Sequence, residues 1–171
     1  MDFFEAVEQR QSIRAFESRP VEEEKLRKIL ETANAAPSAG NLQAYEIYVV
    51  RKRQDRAALA RAALHQDFVA SAPVVLVFCT HPARSSGKYG ARGARLYSVQ
   101  DATIACAFAM LAVTSLGLAS VWVGAFRDEG VREALRLSDD LQPVALLPVG
   151  YPAESPERAE RRTLADLVHE V

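Results

Sequence analysis

The chain has 171 residues, which suits one domain that buries roughly 70% of the surface its unfolded form exposes. Its 21 lysines and arginines nearly balance 22 aspartates and glutamates, giving a net charge of -1. That balance leaves no global basic field for nucleic acid, and a hydrophobic content of 49% excludes intrinsic disorder. We therefore expect a single domain over residues 1–171 with no nucleic-acid partner.

The first 14 residues carry charged side chains at five positions and lack the apolar core of a signal peptide. This composition predicts a cytoplasmic protein. Residues 102–126 contain no charged residue, a length that could span a bilayer. Their many alanine, threonine and serine residues, with the interruption at Gly117, favour instead a buried helix, a turn and a buried strand. We expect no membrane partner.

The residue types that would signal a metal or nucleophilic site are few. Cys79 and Cys106 lie in apolar runs, which favours buried, reduced thiols over a redox or metal role. The histidines are scattered, and none pairs at the spacing of metal ligands. The chain also lacks a dinucleotide fingerprint, a Walker loop and a nucleophile elbow. The sequence therefore predicts no metal site.

The N-terminal part of the chain predicts two helices. The first covers residues 2–9, with Asp2 as its N-cap. The second covers residues 21–35, where Leu26 and Ile29 belong to an apolar stripe at helical spacing. The opposite face of this second helix is charged, as expected for a surface in water.

The remaining elements alternate between strand and helix. Residues 74–79 form a continuous apolar run, typical of a strand covered on both faces, and residues 96–116 predict a long helix enclosed by the fold. These elements predict a fold with three layers, α/β/α, of the α/β or the α+β class. The others are strands over residues 46–51, 119–123 and 143–149, and helices over residues 55–65 and 129–137.

A glycine- and arginine-rich segment, residues 81–95, is predicted to be a loop. It has glycines at three-residue intervals and four basic residues, but its spacing fits neither a dinucleotide nor a mononucleotide site. Two interpretations stay open: a mobile surface loop, or a lid that attracts an anionic substrate. Tyr89 and Arg92 are its candidate substrate residues.

Two short segments have side chains suited to ligand binding. Arg10, Ser12 and Arg14 place two guanidinium groups and a hydroxyl within five residues, which suits a phosphate, although two arginines on a solvated surface are common. Residues 36–43 combine hydroxyl and amide side chains with little bulk. A flat heteroaromatic ligand could lie against this second segment, or it could be a turn that joins a helix to a strand.

These segments, with later ones in the same order, resemble the FMN-dependent nitroreductase family over nearly the whole chain. The resemblance implies a nitroreductase-like fold with a mostly antiparallel central sheet and a long buried central helix. The motifs that carry it are Arg10-x-Ser12-x-Arg14-x-Phe16, Ala36-Pro37-Ser38-x-x-Asn41-x-Gln43, Gln100-Asp101-Ala102, Leu116 to Phe126, Leu147 to Pro152, and Arg161-Arg162-x-Leu164.

The resemblance also implies a role for each matched segment. Arg10, Gln11, Ser12 and Arg14 would hold the phosphate and ribityl end of FMN, and Arg161 with Arg162 would close around that phosphate. Val123 and Gly124 would offer backbone groups near the reactive nitrogen edge of the flavin ring. The residues that would face the isoalloxazine from the second subunit are Pro37, Ser38, Asn41 and Gln43.

Members of this family are homodimers, so the resemblance implies a homodimer whose C-terminal arm, residues 153–171, packs on the partner. It further implies that NADH or NADPH reduces FMN, after which a small electron-poor acceptor such as a nitroaromatic or quinone is reduced, in a ping-pong mechanism. The chemistry would take place on FMN, with no catalytic side chain. Two alternatives stay open: a flavin-fragmenting or dehalogenating enzyme of the same fold, and a non-catalytic flavin-binding redox sensor.

Overall fold

A four-stranded antiparallel sheet forms the middle of the fold, in a computed structural model that describes residues 1–171. The strand order is β1-β2-β4-β3, so the two longest strands, β2 and β4, lie side by side. The strands are β1 (Tyr45–Val50), β2 (Val74–Thr80), β3 (Ala119–Ser120) and β4 (Gln142–Gly150).

Strand β2 is buried along its entire length, which confirms the prediction of a central strand covered on both faces. Its side chains alternate between two separate cores, as the two-residue period of a strand requires. Leu76 and Phe78 belong to a core of 17 buried residues on one face. Val75 and Val77 belong to a core of 14 buried residues on the other.

Two helices cover the first face, α2 (Glu23–Asn34) and α6 (Ser98–Ser115). Leu26 and Ile29 of the predicted stripe on α2 are buried in the first core. Because α6 continues from the preceding helical residues, the stretch from Pro82 to Ser115 is long enough to cross a membrane, and an 18-residue window of it has a mean hydropathy of 1.5. Some of the apolar residues in this stretch pack in the first core. Five side chains of α6 are fully buried there: Ala102, Ala105, Cys106, Ala109 and Val113.

Three helices cover the second face, namely α3 (Arg53–Ala62), α4 (Phe68–Ser71) and α7 (Asp128–Leu135). Helices α3 and α7 approach closely at Gly130, where an added Cβ would lie 2.9 Å from the Cβ of Ala62. The helices on both faces of one sheet confirm the predicted three-layer α+β fold.

Both ends of the chain carry exposed apolar side chains. Helix α1 (Phe3–Gln9) begins at Asp2, whose carboxylate accepts the Glu5 N–H at 2.9 Å, so the predicted N-cap is confirmed. The apolar face of α1 is exposed, with Phe4 79% accessible. Helix α8 (Leu164–Leu167) lies in a tail that is exposed throughout.

The prediction of a loop over residues 81–95 was wrong. Helix α5 (Pro82–Arg92) occupies this segment, and a π turn (Gly93–Tyr97) joins it to α6. Proline suits the first turn of a helix, since its missing N–H has no partner there in any case. Gly90 interrupts the helix with φ 56° and ψ −144°, a kink that glycine accommodates without the strain of a Cβ. Gly90 therefore bends the helix and does not end it.

The predicted strand over residues 119–123 was too long. Only Ala119 and Ser120 pair continuously with β4, and the chain makes one further bridge, between Val123 and Leu146. Both cysteines are buried and unpaired, as predicted. Burial raises the pKa of the Cys79 thiol to about 12 and that of Cys106 in the same direction, so both stay neutral near pH 7.

Candidate functional site

The segment after α1 runs as an extended chain between β3 and the end of β4. Ser12 forms a parallel bridge with Ser120, and Phe16 forms an antiparallel bridge with Pro152. The Ile13 N–H donates to the Ser120 carbonyl at 3.1 Å. Because side chains of an extended chain alternate in direction, Arg10, Ser12 and Arg14 share the side opposite to buried Ile13.

The charges of arginines from the C-terminal end of the chain act on Arg10 near its N-terminal end. Burial lowers the pKa of the half-buried Arg10 guanidinium, and the positive charges of Arg161 and Arg158 lower it further. Arg158 also lies 3.3 Å from the Glu8 carboxylate of α1. Three guanidinium groups that repel one another are stabilised by a shared anion, and their planar forks match a phosphate. This cluster of Arg10, Arg158 and Arg161 is hereafter called the arginine cluster.

The other residues predicted for the phosphate end have different partners. Arg14 donates its backbone N–H to the Glu154 carboxylate, and its side chain is exposed. Arg162 donates to the Asp166 carbonyl at 2.6 Å, within the tail. Gln11 lies on the same side as Ile13, and its buried Oε1 accepts no hydrogen bond. The charge of Arg161 therefore acts on Arg10, whereas Arg162 is bonded within the tail.

The segment from Pro37 to Gln43 forms a tight turn with an unusual backbone. Gly40, Asn41 and Gln43 have φ values of 59°, 58° and 42°, in the left-handed region that side chains other than asparagine and aspartate rarely adopt. Ser38 Oγ accepts both the Gln43 N–H at 3.0 Å and the Gln43 Nε2 at 3.1 Å. The polar side chains predicted here are thus gathered by hydrogen bonds among themselves. This segment is hereafter called the left-handed turn.

Asp101 holds the left-handed turn against the start of α6. Its side chain is 2% exposed, and its two oxygens accept the Ala39 N–H at 2.9 Å and the Ala44 N–H at 3.3 Å. Its charge, together with the larger effect of burial, raises the pKa of Tyr45. The sequence interpretation gave Asp101 no role. The available signal was its position as the last charged residue before 25 uncharged ones.

Helix α5 packs over the left-handed turn. The Arg84 Nε donates to the Leu42 carbonyl at 3.1 Å. A Cβ added to Gly40 would lie 2.6 Å from the Tyr89 hydroxyl and 2.8 Å from Lys88 Nζ, so a larger residue would have to displace these two side chains and would also be strained at a φ of 59°. Beside the turn, a cavity of about 560 Å³ is lined by residues of the turn, the π turn and α6: Pro37, Ser38, Ala39, Tyr97, Val99, Gln100, Asp101, Thr103 and Ile104.

The two residues predicted to offer backbone groups, Val123 and Gly124, differ in their backbone hydrogen bonds. The Val123 N–H donates to the Leu146 carbonyl at 2.9 Å, and its carbonyl accepts the Leu146 N–H at 3.0 Å. The neighbouring Gly124 is exposed, and its N–H donates to no protein group. A Cβ at this position would lie 3.1 Å from Trp122 Nε1. Gly124 is therefore the residue of the pair that has a free backbone donor and an approachable backbone.

These features fit a ligand with an anionic end and a flat polar ring. The arginine cluster supplies cations without enough carboxylates to neutralise them. The left-handed turn and Gly124 supply hydroxyl, amide and backbone groups with little bulk, as ring edges require. FMN has both an anionic phosphate and a heteroaromatic ring, and the residues present fit it.

Comparisons with known proteins agree with this description. The model of the Nitroreductase family matches residues 7–66 and 60–151. An NADH dehydrogenase of Thermus thermophilus is 33% identical in an alignment 195 positions long, gaps included, which covers 98% of this chain and 95% of that protein. A Bacillus subtilis protein named FMN reductase [NAD(P)H] is 30% identical, over 88% of this chain and 66% of its own length. The crystal structure of nitroreductase A from Vibrio parahaemolyticus superimposes with a TM-score of 0.90 at 30% identity, covering 99% of this chain and 76% of that one.

Proposed function

Because the chain belongs to the nitroreductase family, we propose that this NAD(P)H-dependent FMN oxidoreductase reduces nitroaromatics, quinones and similar electron-poor small molecules. Bound FMN supplies the hydride acceptor and donor that no side chain provides. The observation that carries the proposal is the arginine cluster, in which Arg158 lies 3.3 Å from the Glu8 carboxylate, two residues before Arg10, and the charges of Arg158 and Arg161 act on Arg10. A phosphate neutralises the repulsion among these three groups and gains directional hydrogen bonds from them.

The residues of the chain bind and orient rather than react. The arginine cluster holds the phosphate, and Ser12 lies on the same side of its segment to donate a hydroxyl. The left-handed turn of the second subunit presents Ser38, Asn41 and Gln43 to a ring edge, while Gly124 donates its free N–H. Donors fixed by the fold need no rearrangement when charge develops on a ligand, which lowers the cost of reaching the transition state.

We propose a ping-pong order of events. The chain has no fingerprint of a separate dinucleotide-binding domain, so reductant and acceptor share one cleft beside the flavin position. Oxidised nicotinamide leaves before the acceptor enters. Initial rates at several fixed acceptor concentrations would then give parallel lines in a double-reciprocal plot, whereas intersecting lines would contradict the shared cleft.

The function is tested with the FMN-loaded protein mixed anaerobically with NADH or NADPH. We expect at least one of them to bleach the flavin absorbance and a quinone or nitroaromatic to restore it. Replacing Arg10 with alanine should weaken FMN binding about 10- to 100-fold, the range for losing one hydrogen bond to a charged group. Arg61, an exposed arginine in the last turn of α3, provides the control variant R61A. A wild-type protein that binds no FMN, or whose FMN neither nucleotide reduces, would refute the proposal.

We also propose that the protein is a cytoplasmic homodimer. The exposed apolar face of α1 borders a cavity of about 530 Å³ between α1, α2 and α6, which Phe3, Phe108 and Leu111 help to line. The tail carries further exposed apolar side chains, with Leu164 75% accessible. Contiguous apolar surfaces of this kind mark interaction sites. A second copy of the chain offers both a matching groove and a matching tail.

Truncation after Tyr151 tests the role of the tail in this dimer. It removes the exposed apolar residues of α8 together with Arg158 and Arg161. We expect light scattering to show a weaker dimer, and dialysis to show loss of FMN. A truncated protein that retains both FMN and its dimer would contradict the proposed role, and a full-length monomer would contradict the dimer itself.

A further inference from the structure

Helix α5 and the π turn carry four cations without a single carboxylate partner. Arg84, Lys88 and Arg92 follow one another at four-residue spacing, and Arg95 follows one turn later. None of the four forms an ion pair. Like charges at this spacing destabilise a helix. Repulsion among these four side chains therefore destabilises the helix, and a bound anion would relieve it.

The kink at Gly90 and the π turn bring Arg92 close to a pair of tyrosines, Tyr89 and Tyr97. A π turn places residues five apart on one face, and the Ser98 N–H bonds to the Gly93 carbonyl across it. As a result the Arg92 Nε donates to the Tyr97 hydroxyl at 3.1 Å, with its guanidinium carbon 5.6 Å from the ring centroid. Tyr97 packs edge to face on Tyr89, at 5.1 Å between centroids.

Lys88 completes the group from the other side. Its Nζ lies 5.4 Å from the centroid of the Tyr89 ring, beside Gly40 of the left-handed turn. Tyr97 lines the cavity of about 560 Å³ that the turn also lines. Two half-buried aromatic rings with a cation at each thus stand at the rim of the cleft beside the predicted flavin position.

We infer that Lys88, Arg92 and the Tyr89–Tyr97 pair form a subsite for the adenosine phosphate half of the reductant, an inference that rests on the proposed function. Lysine and arginine bind phosphate by charge and by hydrogen bonds, and a nucleobase stacks on an aromatic face. The nicotinamide end then reaches the cleft while the phosphates stay at its rim. Arg92 is a specificity-determining residue here, not a catalytic one.

The test measures binding of non-reducible fragments to the FMN-loaded protein by calorimetry, so that no hydride transfer is required. The probes are adenosine 2′,5′-bisphosphate and ADP. We expect the wild type to bind at least one of them, and R92Q and K88Q each to weaken that binding about tenfold, as for one charge-assisted hydrogen bond. R61Q on α3 serves as the matched control and should leave binding unchanged. In steady-state assays R92Q should raise KM for the nucleotide and leave kcat unchanged.

The results show which phosphate of the reductant the subsite binds. They also distinguish a failure of the subsite from a failure of the proposed function. A loss confined to the bisphosphate assigns the subsite to the 2′-phosphate of NADPH, a loss confined to ADP assigns it to the outer phosphate of the pyrophosphate, and an equal loss for both probes assigns it to the 5′-phosphate that they share. If the wild type binds neither probe, or if R92Q and K88Q bind them as tightly as the control, the subsite is refuted. If the probes bind as expected but neither nucleotide bleaches the flavin, the subsite stands and the proposed function fails.

Discussion

Replacing Asp101 with alanine should destabilise the protein and release the left-handed turn. The buried carboxylate satisfies two backbone N–H groups, those of Ala39 and Ala44. Ala44 is fully buried, so its unpaired N–H would cost the full penalty of about 1–3 kcal/mol, while half-buried Ala39 would recover part of its loss from water. We expect the free energy of unfolding to fall by about 2–4 kcal/mol.

Urea denaturation of the variant and the wild type measures this loss. D67A is the control, because the exposed Asp67 makes no capping hydrogen bond, and it should change stability by less than about 0.5 kcal/mol. A conservative variant, D101N, removes the charge that raises the pKa of Tyr45, so that pKa should fall while burial keeps it above its ordinary value. Equal unfolding free energies for D101A and D67A would show that the Asp101 carboxylate does not stabilise the left-handed turn.

Three further predictions concern the turn, the thiols and the tail. G40A should destabilise the protein by more than 1 kcal/mol in urea melts, because Gly40 has a φ of 59° and its Cβ would meet the Tyr89 hydroxyl; an unchanged midpoint would refute this packing. The raised pKa of the Cys79 thiol, about 12 against 9.0, predicts stability that is complete below pH 9 and declines as pH rises toward 12. The cysteine-free control, with Cys79 and Cys106 replaced by alanine, should decline less in alkaline denaturation, and the remaining loss comes from Tyr45 and Tyr48, whose pKa values burial also raises. R158Q should weaken FMN binding in a dialysis assay while R61Q does not, and equal retention would remove Arg158 from the phosphate site.

Elements whose formation depends on nearby residues were predictable from the sequence. The stripe on α2 and the apolar run of β2 report burial directly, since each is periodic within one element. The helix α5 was missed because its glycines indicate a loop locally. Its contacts with the left-handed turn, through Arg84 and Tyr89, involve residues about 40 positions away. Tertiary packing overrides local propensity in such a case.

The residues of the candidate site also divide into those that the sequence predicted and those that depend on contacts between distant parts of the chain. Resemblance to known proteins led to Arg10 and Arg161, and the structure brings their charges together. Arg158 was missed, since it lies outside the matched motif and its relation to Arg10 depends on the path of the tail. Asp101 was in a matched motif, but its function follows from bonds to residues 57 and 62 positions away. Both backbone groups of Val123 bond to Leu146, a pairing with a residue 23 positions away that the local sequence does not predict.

Because the arginine cluster joins residues from near the two termini, an anion bound there ties the beginning of the chain to its end. Without that anion, electrostatic repulsion favours a detached C-terminal segment, and loose terminal segments are where proteases make their first cuts. A shortage of flavin in the cell would then shorten the lifetime of the polypeptide as well as silence it. The supply of flavin and the rate of degradation of this protein would then be coupled through the arginine cluster.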